Sequence, residues 1–215
     1  MDAKSNTSSD APSDRFLVAL LDAMLELVPD TGWTSATLER AAEKAGLTQG
    51  QALLAAPHGV SDVLEAFGKR AAHAAGDALS KPDVAVLKVR EKVRAGVKGW
   101  LAALQPHKAA VKRAAASPAN LLSGPRGLWA AADAIWAALG DKSTDYNWYT
   151  KRMTLSGVLG STLAAWLGTD DDAAIDAFLD RRIENVMQFE KLKAQAKDAF
   201  AKMPDPMDLF GSRKG

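Results

Sequence analysis

The sequence predicts an all-α protein, on three observations. Apolar residues recur at three- and four-residue spacing along most of the chain, the period-two alternation of half-buried strands is scarce, and Pro and Gly interrupt the apolar stripes at helix-length intervals. The expected architecture is a bundle of about ten helices, a small three-helix head followed by a larger body. The 215 residues can bury a core without metal or covalent staples. Lys+Arg 27 against Asp+Glu 26 leaves a net charge of +1, so no global field favours nucleic acid or an anionic membrane. Cysteine is absent, which excludes disulfides, thiol nucleophiles, thiolate metal sites and iron–sulfur clusters.

Residues 1–13 are small and polar, lack the marks of signal and transit peptides, and read as a disordered tail. Residues 14–80 form the head. Ser13 or Asp14 caps a first helix with Leu17, Leu20, Leu21, Met24, Leu25 and Val28 on one side, and Pro29 is expected to end it. After the turn Gly32-Trp33-Thr34, Ser35 opens a short helix that Gly46 stops. Leu47-Thr48-Gln49-Gly50-Gln51 starts another, broken by Pro57 and Gly59, and a longer helix runs from Ser61 to about Leu79. Residues 81–193 form the body. There Pro82 suits an early helical position, and Val86, Val89, Val93, Val97, Trp100, Leu101 and Leu104 make a stripe that Pro106 ends. Residues 108–116 are helical, and a Pro/Gly-interrupted connection follows through Gly127. Residues 128–139, 148–167 and 173–193 are the remaining body helices, and residues 194–215 an amphipathic C-terminal helix and tail. The uncharged stretch 153–167 is ~22 Å long as a helix, short for a bilayer, and reads as a buried central helix.

Leu38 through Thr48 has helix-turn-helix spacing, with the small Ala41 and with Gly46 in the turn. It resembles the head of TetR-type regulators, in which a larger helical body follows. A recognition helix needs donors for base edges and cations for phosphates. Residues 48–56 offer Thr48, Gln49 and Gln51 but no Lys or Arg, while Glu39, Arg40, Glu43 and Lys44 cancel. The head therefore reads as a folding module without nucleic acid as a partner. The alternative is a TetR-type ligand-responsive transcription regulator.

Nothing points to catalysis. His58, His73 and His107 are not spaced to share a metal, and no serine-nucleophile, phosphate-loop or dinucleotide motif occurs. Asp170-Asp171-Asp172 precedes a helix and suits its positive end. No enzyme, cofactor or metal is expected.

Four segments carry more information. In residues 133–152, DAIWAALGDKSTDYNWYTKR, Lys151 and Arg152 are expected to pair with Asp133, Asp141 or Asp145 across a loop; the segment is either a packed corner or an interaction patch. In residues 153–167, Ser156, Gly157, Gly160, Ser161 and Ala164 make a small-residue face, suited to close helix packing or to a bound apolar molecule, opposite Leu155, Leu159, Leu163, Trp166 and Leu167. Residues 88–113 hold Lys88, Arg90, Lys92, Arg94, Lys98, Lys108, Lys112 and Arg113 against Glu91 alone, a solvated face or one drawn to anionic headgroups. Near the end, Phe189, Leu192, Phe200 and Met203 share a side flanked by Lys193, Lys197 and Lys202, the pattern of an interfacial helix or of one docked on its own body.

Gly140-Asp141-Lys142-Ser143-Thr144-Asp145-Tyr146-Asn147-Trp148-Tyr149-Thr150-Lys151-Arg152, followed by Leu155-x-Gly157-Val158-x-Gly160-Ser161-Thr162, resembles the hallmark of the Coq nine family, accessory lipid-binding proteins of ubiquinone (coenzyme Q) biosynthesis. Val28–Thr34, Leu128–Trp136 and Phe178–Ile183 extend the likeness to roughly residues 15–190. The resemblance implies a TetR-like all-helical fold without DNA binding, a homodimer, and a non-catalytic role. It implies an apolar pocket for isoprenoid quinone intermediates or phospholipid, for which the candidate lining residues are Val97, Trp100, Leu101, Leu104, Trp129, Met153, Leu155, Leu159, Leu163 and Trp166. It implies a patch that docks a ubiquinone-pathway hydroxylase of di-iron type, which falls here on Asp133, Ile135, Trp136, Asp145, Trp148 and Tyr149. It also implies a C-terminal helix that reaches an anionic membrane surface, here through the Phe189–Met203 side. The expected location is the cytoplasmic face of a bacterial inner membrane, or the mitochondrial matrix side for a processed organellar protein.

Overall fold

The computed structural model describes the backbone of residues 11–117 and 123–201, with side chains through residue 188 except that of Ser123. Its elements are α1 (Pro12–Thr31), α2 (Ser35–Lys44), α3 (Gln49–Ala55), α4 (Val60–Leu79), α5 (Pro82–Ala85), α6 (Val89–Leu104), a 3-10 turn (Gln105–His107), α7 (Lys108–Ala115), α8 (Ser123–Ala138), α9 (Tyr146–Gly168) and α10 (Asp172–Ala201). No strand occurs among the described residues, and the all-α expectation holds.

The head is α1 to α3. Leu20, Leu21, Met24, Leu25 and Val28 are buried on one side of α1, as their spacing predicts. Pro29, however, does not end this helix. It lies within the last turn, where its missing N–H forgoes one backbone hydrogen bond, and the chain runs on to Thr31. Gly32 is the stop, because it adopts φ 75° while its N–H reaches the Val28 carbonyl at 2.8 Å. Thr34 caps α2 by accepting from the Thr37 N–H at 3.1 Å. At α3, Thr48 and Gln51 close a reciprocal capping box, so two of the three polar groups that a recognition helix would offer are tied to its own backbone. Leu53 and Leu54 of α3 are exposed. Trp33 joins head to body: its indole N–H donates to the Ala110 carbonyl at 2.9 Å, and its ring stacks on Phe67 with centroids 6.1 Å apart.

α4, which the expected head of residues 14–80 includes, packs instead with the body, against α8 and α6, and also touches α1. Two glycines let α6 come close. A Cβ on Gly99 would stand 2.4 Å from the Ala78 Cβ of α4, and one on Gly96 would stand 2.9 Å from Ile135 Cγ1 of α8. Each glycine costs about 1 kcal/mol of helix propensity. Burial of Val97, Trp100, Leu101 and Leu104 on the same helix returns roughly 1.5–3 kcal/mol for each large side chain. The predicted stripe starts late, since Val86 is 84% exposed and Val89 59%. Val86 closes the separate short helix α5, and Val89 is only the first residue of α6.

Further boundaries differ from expectation: α1 starts at Pro12 behind Ala11, so Ser13 and Asp14 lie inside the helix and cap nothing, and α9 starts at Tyr146 rather than 148. α8 begins at Ser123 rather than 128, because Pro125 falls in the first turn, where N–H groups have no partner within the helix. α10 runs unbroken across residues 193 and 194, for no Gly or Pro interrupts it between Asp172 and Ala201.

The cationic face of α6 is neither bare nor simply solvated. Arg90 meets Glu184 at 2.6 Å, Arg94 meets Asp180 at 2.8 Å and Asp176 at 3.1 Å, and Lys98 meets Asp176 at 2.7 Å. Partner numbers fall as the α6 numbers rise, so α10 lies antiparallel to α6 along a charge ladder. Lys108 continues it to Asp170 at 2.6 Å. Burial opposes the charge on Arg94, but Asp180 and Asp176 outweigh it and raise its pKa; the hydrogen bond from Lys98 leads in holding Asp176 below the usual carboxylate range. Asp171 accepts from the Ala174 N–H at 3.0 Å, the helix-start role expected of the aspartate run.

Replacing Gly99 by Val is expected to destabilise the bundle by about 1–3 kcal/mol, read as a lower midpoint in urea or thermal unfolding. A midpoint equal to that of the parent would mean that α4 and α6 are not closely apposed.

Candidate functional site

The corner between α8 and α9 is built from residues close in sequence. Gly140 reverses the chain at φ 73°, and Asp145 caps α9 by accepting from the Asn147 N–H at 3.0 Å. Between them Asp141 turns inward. Arg152, one helical turn beyond Trp148, is 3% exposed. Its Nε donates to Asp133 Oδ1 at 2.6 Å, and its Nη1 donates to Asp141 Oδ2 at 3.1 Å and to the Trp148 carbonyl at 3.3 Å. Its guanidinium lies 4.1 Å from the Trp148 ring centre. Lys151 donates to Asp141 Oδ1 at 2.6 Å, and Ser143 Oγ donates to the same carboxylate. The bonds from Lys151 and Ser143, with that from Arg152, overcome burial and hold the Asp141 carboxyl far below the usual range. Trp136 donates to the Lys151 carbonyl at 3.2 Å. Of the two readings left open for this segment, the packed corner describes its charges: the acids and bases satisfy one another. Asp145 is a cap and not an ion-pair partner.

Not every expected docking residue reaches the surface. Ile135 is fully buried against Gly96, so it has no face to offer. Asp133 is committed to Arg152, and Trp136 and Trp148 are half-buried. Trp129 packs on Trp148 and Tyr149, with centroids 5.7 and 6.4 Å apart, and lines no cavity described here. Met153, expected inside, is 65% exposed. It lies at helical spacing from Tyr146 (74% exposed) and Tyr149 (58%), so one side of α9 presents an open apolar row. Tyr146 was not singled out by sequence, although its spacing to Tyr149 and Met153 is legible there.

Away from the corner, between α4, α6, α7, the start of α8 and the far end of α9, lies an apolar cavity of about 410 Å³. Trp100, Leu104 and Leu163 line it, as expected of pocket residues, together with Leu64, Phe67 and Leu128. The α4 contribution follows the i, i+3 and i+7 positions Leu64, Phe67 and Ala71, a stripe that periodicity shows but cannot assign to core or cavity. Val97, Leu101 and Leu159 are solid core instead. Trp166 is locked at the α7 junction, its indole donating to Gln105 Oε1 at 2.8 Å beneath Lys108. Leu155 faces a second cavity. The small-residue face of α9 is mixed: a Cβ on Gly160 would stand 3.1 Å from Leu128, whereas one on Gly157 would meet open space. Among the described residues no helix is long and apolar enough to cross a membrane. The side chains of Phe189, Leu192, Lys193, Lys197 and Phe200, and all of Lys202 and Met203, lie outside the described residues.

Fold and site define an all-α bundle with a head of three helices and an apolar cavity in its body. The COQ9 family model matches residues 122–190, which take in all of α8 and α9 and most of α10. The ubiquinone biosynthesis protein COQ9, mitochondrial, of Rattus norvegicus is 28% identical over 190 residues, 83% of this chain and 61% of that protein. The Bos taurus protein of the same name is 28% identical over 189 residues, 83% of this chain and 59% of its own length. COQ9-A of Xenopus laevis is 38% identical over 72 residues, 33% of this chain and 23% of that protein. The chain thus spans about three fifths of the length of the first two relatives. The resemblance carried by the Gly140–Arg152 motif is borne out: the chain is related to the COQ9 proteins.

Replacing Arg152 by Ala strands two carboxylates, one of them buried, and is expected to cost about 3–5 kcal/mol in urea unfolding. Asp141 adds a pH signature. Its folded pKa is depressed, so its contribution is present above the unfolded value of about 3.9 and is lost as pH falls below it. Asp141→Asn is therefore expected to lower stability at pH 7 and to flatten the loss between pH 4 and pH 2. Parallel pH profiles for parent and variant would contradict the ion-pair assignment.

Proposed function

We propose that this chain is a non-catalytic, lipid-binding accessory protein of ubiquinone biosynthesis, which shelters an isoprenoid quinone intermediate and presents it to a hydroxylase at the membrane. The apolar cavity of about 410 Å³ inside a helical bundle carries this reading; the names of the relatives supply the pathway. Withdrawing a prenyl tail from a bilayer costs ~0.8 kcal/mol per CH₂ unless another apolar environment receives it. A wall of Leu64, Phe67, Trp100, Leu104 and Leu163 is such an environment. The Tyr146–Tyr149–Met153 row supplies aromatic anchors for a protein partner, held in place by the Arg152 corner beneath it. The α10 segment beyond residue 188 is the proposed membrane contact, and a second copy of the chain the proposed dimer partner. The transcription-regulator alternative fits less well, because α3 turns Leu53 and Leu54 outward where phosphate and base donors are needed.

Leu163→Trp, which fills the cavity from α9, is expected to reduce co-purifying lipid at least fivefold by mass spectrometry of the extracted protein while its circular dichroism matches that of the parent. A parent that carries no quinone or phospholipid after gentle purification would defeat the carrier reading.

A further inference from the structure

The second cavity, about 360 Å³, is walled by α6, α8, α9 and α10 and shares no lining residue with the first. Its interior is apolar, formed by Val93, Leu155, Val158 and Ile183 with the Trp136 ring. Along one edge α9 places Asn147, Lys151 and Thr154 at successive helical spacings. Val89 and Met187, both exposed, flank its mouth. Among the described residues no Asp or Glu lines it, and its charged wall residues, Arg90 and Lys151, are cations.

These features select a ligand by chemistry. Lys151 donates to Asp141 and, at 3.5 Å, to Ser143 Oγ, which leaves its ammonium a third donor; the Asn147 amide, which gives one N–H to Asp145, and the Thr154 hydroxyl add more. Oxygen acceptors on a ligand suit this edge, and a cationic head does not. The volume accommodates a substituted ring and the first atoms of a tail, not a long chain. An apolar mouth gives that tail a way out at no cost in stranded polar groups.

We propose that this cavity is a binding site for an oxygenated aromatic or quinonoid ring, its carbonyl or hydroxyl oxygens on Asn147, Lys151 and Thr154 and its apolar tail leaving between Val89 and Met187. The inference rests on the carrier reading above and adds a separate seat for the ring, beside the Tyr146–Tyr149 row and away from the first cavity.

The test is isothermal titration of the full chain with 2-decyl-1,4-benzoquinone, using decylbenzene, which has no oxygens, as the comparison probe. The parent is expected to bind the quinone at least tenfold more tightly than decylbenzene. Thr154→Trp, which fills the cavity, should weaken quinone binding at least tenfold, and Asn147→Ala with Thr154→Val should abolish the preference for the quinone. Leu54→Ala, on the exposed side of α3 and outside both cavities, should leave quinone binding unchanged. If Thr154→Trp melts well below the parent, Val93→Phe fills the same space from α6 and must weaken binding equally. Unaltered binding in a folded cavity-filling variant, or a loss only with Leu163→Trp, overturns the ring site while leaving the carrier reading intact. A chain that binds neither probe and carries no lipid overturns both.

Discussion

One buried cation organises the α8–α9 corner of this molecule. Arg152 is taken out of water, and a guanidinium so placed is tolerable only if its charge and its donors are met. Asp133 from α8, Asp141 from the intervening turn and the Trp148 carbonyl from its own helix meet them at 2.6, 3.1 and 3.3 Å. Because these groups come from both helices and the turn between them, satisfying Arg152 sets the angle at which α9 leaves α8. The same requirement holds Trp148 under the guanidinium and directs Tyr146, Tyr149 and Met153 outward. An ion-pair node of this kind adds little net stability over an apolar substitute, but it fixes a geometry, and the exposed row depends on that geometry.

A second constraint acts through α6. Gly96 and Gly99 let this helix lie against α8 and α4, and its opposite face is held to α10 by the ladder from Arg90–Glu184 to Lys98–Asp176. Each surface pair contributes only about 0–1 kcal/mol, yet the ladder sets which way α10 runs and where its final turns project. The two cavities lie on either side of this framework: one toward α4 and α7, the other toward α10.

The head has the shape of a DNA-reading module without its chemistry. Trp33 ties it to α7 and α4 through a buried hydrogen bond and a stacked ring, so it contributes core to the bundle. Its third helix spends Thr48 and Gln51 on its own cap and exposes leucine.

Sequence alone determined the helical class, most helix starts and stops, the pairing of Lys151 and Arg152 with nearby acids, and the want of cations on α3. These are local matters: caps, glycine stops and partners within about twenty residues are written beside one another in the chain. Tertiary structure decided which apolar residues fill the core and which line a cavity, since periodicity marks a stripe without saying what lies opposite. Leu159 and Leu163 share a stripe, yet the first is solid core and the second a cavity wall. It also decided that Ile135 is hidden and Met153 open, and that Arg90, Arg94 and Lys98 are answered by acids 78 to 94 residues away. Pairings at that distance arise from packing whole helices, and no spacing rule along the chain contains them.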